Sequence, residues 1–253
     1  MKCYEIYFSP TGGTKKVLDI ISSVWDCEKE AIDIMDRNKD FTKYCFGKED
    51  ICLVAVPSFG GRVPEIATER LSMMKGNHAK AAAICVYGNR AYEDTLLELK
   101  NTLSSASFSC EAGIVAIAEH SIVRKFAAGR PNEEDKEDLI SFANKLKEKF
   151  SKNDADEIHV PGNFPYKEYK VIPVHSEAKK DCTKCGICAA KCPVGAIDKE
   201  HPDKAGTSKC IYCMGCVAVC PQKVRKVNKI IVAAAGQKLK KVCTEPKKNE
   251  LYI

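Results

Sequence analysis

At 253 residues, 45% of them apolar, the chain has the length of one full domain plus a small one and the content of a folded core, which excludes a disordered or fibrous polymer. Its formal charge of +6 conceals an asymmetry: residues 1–165 carry 22 Lys/Arg against 26 Asp/Glu, and residues 166–253 carry 18 against 8. No run of about 18 apolar residues is present to span a bilayer, and MKCYEIYFSP, broken at Pro10, is too short for a secretory signal, so the expectation is a cytoplasmic protein without a membrane partner.

Strand candidates fall at 2–8, 30–34, 50–56, 80–87 and 110–118, several of them continuous apolar runs of the kind buried on both faces of a parallel sheet. Helical stripes lie between and after them: Val17, Leu18, Ile21, Val24 and Trp25; then Leu96, Leu99 and Leu103. Behind an acidic first turn, NEEDKED, come Leu139, Phe142, Ala143, Leu146 and Phe150. Five strands alternating with helices predict a doubly wound α/β domain over residues 1–152. Residues 153–177 turn charged and proline-punctuated and read as a linker along the surface. A cysteine-rich stretch, 178–224, reads as the second domain. Residues 225–253, lysine-rich around IIVAAAG, read as a basic tail whose short strand or helix closes over one of the domains.

The first strand runs into SPTGGT, which is neither a Walker A motif nor G-x-G-x-x-G. Ser9, Thr11, Gly12, Gly13 and Thr14 bring three hydroxyls and a run of amide N–H groups to a helix N-terminus, a seat for a monophosphate. Two more loops leave the same carboxyl edge of the sheet, where open α/β sheets take their ligands. One carries Pro57, Ser58, Phe59, Gly60, Gly61 and Arg62; the other carries Tyr87, Gly88, Asn89, Arg90 and Tyr92. A monophosphate seat beside aromatic residues able to sandwich a flat ring predicts flavin mononucleotide (FMN). The connection 119–131 is long for this fold and reads as a surface excursion, a lid or a docking surface, with His120, Ser121 and Arg124 its polar candidates.

Fifteen cysteines in such a chain favour metal ligation over disulfides. Seven of them (Cys3, Cys27, Cys45, Cys52, Cys85, Cys110, Cys243) are scattered, mostly in apolar runs, and read as small buried hydrophobes. The other eight form two cassettes, CTKCGICAAKCP and CIYCMGCVAVCP, each C-x2-C-x2-C-x3-C-P. Structural zinc sites use cysteine pairs rather than triplets trailed by Cys-Pro. The cassettes resemble the bacterial two-cluster ferredoxin run, in which the fourth cysteine crosses to the other cluster. That resemblance implies one [4Fe–4S] cluster on Cys182, Cys185, Cys188 and Cys220, and a second on Cys210, Cys213, Cys216 and Cys192. Clusters of about −2 charge each explain the lysines of this half better than a nucleic-acid partner does.

Residues 1–152 resemble a flavodoxin. Ser9, Thr11, Gly12 and Thr14 match its phosphate loop, Phe59, Gly60 and Gly61 its ring-contacting loop with a flipping glycine peptide, and Tyr92 the tyrosine that stacks on the flavin. Asn89 stands where flavodoxins place an aspartate, and Arg62 and Arg90 replace the acidic surroundings; facing the flavin, they would favour its anionic reduced form. The whole chain resembles the flavodoxin–ferredoxin fusion proteins of anaerobic bacteria and archaea. This implies a flavodoxin-like five-stranded parallel sheet followed by a small α+β ferredoxin domain. It also implies an electron-transfer protein linking two [4Fe–4S] clusters and FMN to redox partner proteins whose identity stays open, as does the oligomeric state. A flavin-dependent oxidoreductase fed through the clusters and a redox-sensing interaction module are the alternatives. No catalytic nucleophile and no nicotinamide motif is evident.

Overall fold

A computed structural model of the chain describes residues 1–152, 158–171, 173–178 and 180–253. Parts of the expected linker (153–157 and 172), and Lys179 of the cysteine-rich stretch, lie outside the described residues. The N-terminal half alternates as its apolar runs require: β1 (Cys3–Tyr7), α1 (Gly13–Ser22), β2 (Lys29–Asp33), β3 (Ile51–Pro57), α2 (Glu65–Ser72), β4 (Lys80–Tyr87), α3 (Thr95–Ser105), β5 (Ser109–Ile117) and α4 (Glu133–Ser151). Five parallel strands stand in the order β2-β1-β3-β4-β5. This is the 2-1-3-4-5 order of the flavodoxin-like fold, with its switch point between β1 and β3.

Both sheet faces are covered, which is why β3, β4 and β5 are apolar without alternation. Val17, Leu18 and Ile21 of α1 join Leu139, Ala143 and Leu146 of α4 on one face. Leu71 of α2 and Leu96, Leu99 and Leu103 of α3 cover the other. The acidic turn before α4 works as a reciprocal cap: Asn132 accepts from the Asp135 N–H while the Asp135 carboxylate accepts from the Asn132 N–H.

The sheet has a sixth strand that the periodicity does not reveal. Residues 225–253 form β7 (Arg225–Val227), α7 (Lys229–Cys243) and β8 (Glu250–Tyr252), and β8 pairs antiparallel with β5. Its register is held by Asn249, which accepts from the Ile117 N–H (3.1 Å) and donates to Asp135 (2.9 Å). Between the halves, β6 (Ser176–Ala178) pairs antiparallel with β7 around α5 (Ile187–Ala190) and α6 (Gly215–Ala218).

The two cassettes repeat one backbone path. Lys184 and Tyr212 have φ of 53° and 54°, Gly186 and Met214 have 74° and 62°, and Gly195 and Lys223 have 63° and 53°. Each trio sits at matching places in C-x2-C-x2-C-x3-C-P and the turn just after it, so the sequence repeat is a conformational repeat. Non-glycine residues held at positive φ are strained, and such strain persists where the surroundings over-determine it.

Candidate functional site

A cavity of about 300 Å³ opens at the carboxyl edge of the sheet. Ser58, Phe59 and Gly60 from the loop after β3, and Tyr87, Gly88 and Arg90 from the end of β4 and its loop, supply one part of the wall. His120, Ser121, Ile122 and Val123 from the 119–131 segment supply another. Ala235, Lys238 and Leu239 of α7 close over the space. The remaining wall comes from Lys167, Lys170, Val171 and Val174 of the linker and from Ile211 and Tyr212 of the second cassette. The 119–131 segment is therefore the seat of α7: Val123 and Phe126 pack against Ala235 and Cys243.

The SPTGGT loop sits at the same edge, outside the wall of this cavity. Phe8, just before it, packs edge-to-face on Phe59 with ring centroids 6.4 Å apart. Gly12 holds the left-handed conformation (φ 90°) that starts α1, and open space surrounds the place its Cβ would take. Ser9 Oγ accepts from the Lys15 N–H at 2.9 Å. Among the described residues the N–H groups of Gly12, Gly13 and Thr14 meet no backbone acceptor, which leaves the first turn of α1 with the donors an anion needs.

Several expected ring contacts turn elsewhere. Arg62 does not face the cavity; its guanidinium forms a fork with buried Glu98 (Nε to Oε2 2.8 Å, a terminal nitrogen to Oε1 2.7 Å) and stacks on Tyr166. Those bonds raise the Arg62 pKa. Arg90 lines the cavity but is paired with Glu93 at 2.6 Å, and Lys167 shares that carboxylate at 2.8 Å. Burial works against the Glu93 charge, yet the two cations hold its pKa below the ordinary value. The unbalanced positive charge expected of Arg62 and Arg90 is thus largely neutralised.

Tyr92 gives its hydroxyl to Glu250 (2.8 Å) and lies 3.1 Å from the Tyr252 hydroxyl, so it anchors β8, and of the two tyrosines expected at the ring it is Tyr87 that lines the wall. Asn89, where flavodoxins carry an aspartate, is buried at φ 64° and spends its amide on the chain between α7 and β8. It donates to the Cys243 and Glu245 carbonyls (2.8 and 2.9 Å) and accepts from the Lys247 N–H. Gly61 packs against Glu93, and neither it nor Pro57 lines the cavity.

His120 is the wall residue whose state the structure defines best. Its Nδ1 accepts the N–H groups of Ile122 and Val123, each at 3.2 Å, which leaves the proton on Nε2. Burial first, and then the positive Arg90, push its pKa below the usual value, so the ring is neutral at pH 7. Its Cα and Cβ stand 2.8 and 2.9 Å from where a Gly88 Cβ would be, so Gly88 is a glycine for close packing.

The eight cassette cysteines gather into two sets. Cys182, Cys185, Cys188 and Cys220 line one cavity; Cys192, Cys210, Cys213 and Cys216 line another. The fourth cysteine of each cassette thus lies with the triplet of the other. Around the second set, Ser176 Oγ lies 3.0 Å from Cys216 Sγ, and the Ala196 N–H donates to Cys192 Sγ at 3.2 Å. Four thiols per cavity with backbone donors around them are the donor set a cubane needs, and the residues fit it.

The halves are clasped together. Buried Arg70 donates to the Ile34 carbonyl (2.6 Å) at the end of β2 and to the Pro193 carbonyl (2.7 Å) beside Cys192. At the SPTGGT loop, the place a Gly215 Cβ would take is 3.4 Å from Pro10. Gly215 therefore serves the contact between halves, while Met214 takes the left-handed position that Gly186 fills in the first cassette.

A family model described as a 4Fe-4S dicluster domain matches residues 175–221. A Haemophilus influenzae "Protein NrfC homolog" is 38% identical over 79 residues, 27% of this chain and 30% of that protein. The polyferredoxin protein MvhB of Methanothermobacter thermautotrophicus is 33% identical over 73 residues, 28% of this chain and 17% of that protein. The chain thus spans less than a third of these curated relatives. Solved structures similar to it include a Streptococcus pneumoniae TIGR4 flavodoxin (18% identity, TM-score 0.44, 59% of this chain and 99% of that one). Another is an archaeal flavodoxin (14%, 0.42, 60% and 100%). With its own strand order, the chain joins a flavodoxin-like α/β domain to a 4Fe–4S dicluster domain, the architecture of a flavodoxin–ferredoxin fusion. Among the described residues no helix is long and apolar enough to cross a membrane.

Proposed function

We propose that the chain is an electron-transfer protein that holds two [4Fe–4S] clusters and one FMN in a single polypeptide and serves redox partner proteins in the cytoplasm. One observation carries the reading: the ring-side loops after β3 and β4 close on the same cavity as Ile211 and Tyr212, which lie between Cys210 and Cys213. The Cys182, Cys185, Cys188, Cys220 set would hold one cluster and the Cys192, Cys210, Cys213, Cys216 set the other. Ser9, Thr11 and the free N–H groups of Gly12, Gly13 and Thr14 would seat the phosphate, and Phe59 and Tyr87 would flank the ring. When bound, the clusters supply one-electron transfer, and the flavin couples it to two-electron storage.

The protein's part is placement and exclusion of water. α7 and the 119–131 segment cover the cavity, and Tyr212 sets the second cassette against it. The first cassette contributes nothing to this wall, and its Cys185 is exposed beside Lys184, so that end faces the partner. A volume of about 300 Å³ is at the lower end for ligand cavities. It suits one ring system rather than a ring plus a substrate, and this favours a carrier over a reductase.

The test is anaerobic photoreduction of the clusters at two protein concentrations tenfold apart, with flavin absorbance followed. Transfer within one chain gives a rate independent of concentration. A rate proportional to concentration contradicts the reading.

A further inference from the structure

Arg225 is only 2% exposed, yet among the described residues no Asp or Glu forms an ion pair with it. It opens β7 opposite Ala178. One terminal nitrogen donates to the Ser176 carbonyl (2.6 Å) and Ser176 Oγ (3.2 Å), and the other to the carbonyls of Pro202 and Lys204 (2.7 Å for the latter). Among the described residues its Nε–H has no partner. Asp203, between the two accepting carbonyls, faces Lys184 at 4.0 Å instead. A buried guanidinium met only by neutral oxygens is expensive, and proteins keep one where an anion pairs with it.

The surroundings indicate which anion. Arg225 borders both thiol cavities, the one lined by Cys182, Cys185, Cys188 and Cys220 and the one lined by Cys192, Cys210, Cys213 and Cys216. The Ser176 hydroxyl that it contacts lies 3.0 Å from Cys216 Sγ. One residue therefore borders both sets, and its guanidinium meets the second through Ser176.

We propose that Arg225 is the shared electrostatic partner of the two clusters, a buried cation whose missing counter-charge the clusters supply and which favours electron uptake by each. This rests on the two-cluster reading above. Reduction adds a negative charge to a cluster, and a fixed positive charge beside it in a low dielectric lowers the cost of that step. Arginine suits the place because its planar fork is held from two sides, by Ser176 and by the 202–204 turn, whereas a lysine reaches only one.

The full chain, purified without oxygen as wild type, Arg225→Gln and Arg225→Lys, is assayed for iron and sulfide. Each cluster's midpoint potential is then read by a titration monitored by electron paramagnetic resonance. With about eight irons bound, Arg225→Gln should disfavour reduction of both clusters at least tenfold, about 59 mV for a one-electron couple, and Arg225→Lys should restore part of it. Unchanged potentials in an Arg225→Gln protein that holds its iron overturn the proposal and leave the two-cluster reading standing. A wild type with half that iron overturns the reading, and the proposal with it. Should Arg225→Gln lose its clusters, wild-type protein grown on arginine labelled with nitrogen-15 at Nε decides: a nitrogen-15 coupling in the spectrum of the reduced protein supports the proposal, and its absence overturns it.

Discussion

Replacing Glu98 with Gln tests whether the Arg62–Glu98 fork, rather than a flavin contact, sets the loop after β3. The Glu98 carboxylate takes three charge-assisted bonds: two from Arg62 (2.8 and 2.7 Å) and one from the Val63 N–H (2.8 Å). The side chains are 17% and 9% exposed, so little water is available to replace what is lost. Removing one partner of a buried pair costs about 3–5 kcal/mol. Glutamine keeps the volume and one carbonyl acceptor, which puts the cost near about 3 kcal/mol, at the low end of that range. For a chain of this size that is a fall of roughly 6–12 °C in Tm, read by thermal unfolding of the anaerobic protein. Arg62→Met with Glu98→Gln removes both charges, keeps an acceptor for the Val63 N–H and should recover most of the loss, giving a coupling of about 2–3 kcal/mol in the double-mutant cycle. A fall below about 2 °C, or strictly additive single mutants, would refute the reasoning.

Gly88→Ala drives a methyl into His120 and should lower flavin affinity about tenfold or more, since overpacking costs about 1–3 kcal/mol; flavin fluorescence titration checks it, and unchanged affinity counts against the cavity as the ring site. The folded pKa of His120 lies below the usual 6.5, so its neutral form contributes stability that is present above pH 6.5 and lost as the pH falls through the lower folded value. Between pH 7.5 and 5.5 the Tm of the wild type should therefore fall further than that of His120→Gln, and parallel profiles would contradict the burial argument. Asn249→Ala leaves the Ile117 N–H without its acceptor and Asp135 with one donor fewer, and should cost about 1–3 kcal/mol, seen as a lower Tm and faster proteolysis of the C-terminus. Cys192→Ala should cost the cluster of the second triplet and spare that of the first; loss of the first alone would reverse the crossing.

What was legible in the sequence was what short-range pattern dictates. Strand candidates 50–56 and 80–87 became β3 (Ile51–Pro57) and β4 (Lys80–Tyr87) because runs buried on both faces are apolar throughout. The cassettes announced themselves because a cluster needs its thiols at fixed spacing. Long-range partnership was not legible. Nothing near Arg62 in sequence points to Glu98, thirty-six residues on. Tyr92 and Asn89 stand in sequence where ring-side residues are expected, yet they hold a return of the chain that begins some 150 residues later. β8 itself is three residues in a polar setting, too short to show a period. The cavity wall draws on six stretches far apart in sequence, and beyond the loops after β3 and β4 only His120 and Ser121 among its polar members stand out, because their connection is too long for the fold.

The most direct test of the account is the content of iron, acid-labile sulfide and flavin per chain in protein purified without oxygen. The account requires about eight irons, about eight sulfides and one FMN per chain. Four irons would remove one of the two cysteine sets from cluster duty. Eight irons without flavin would leave the SPTGGT cradle and the cavity beside Tyr212 to another ligand, and the proposed conduit would be wrong.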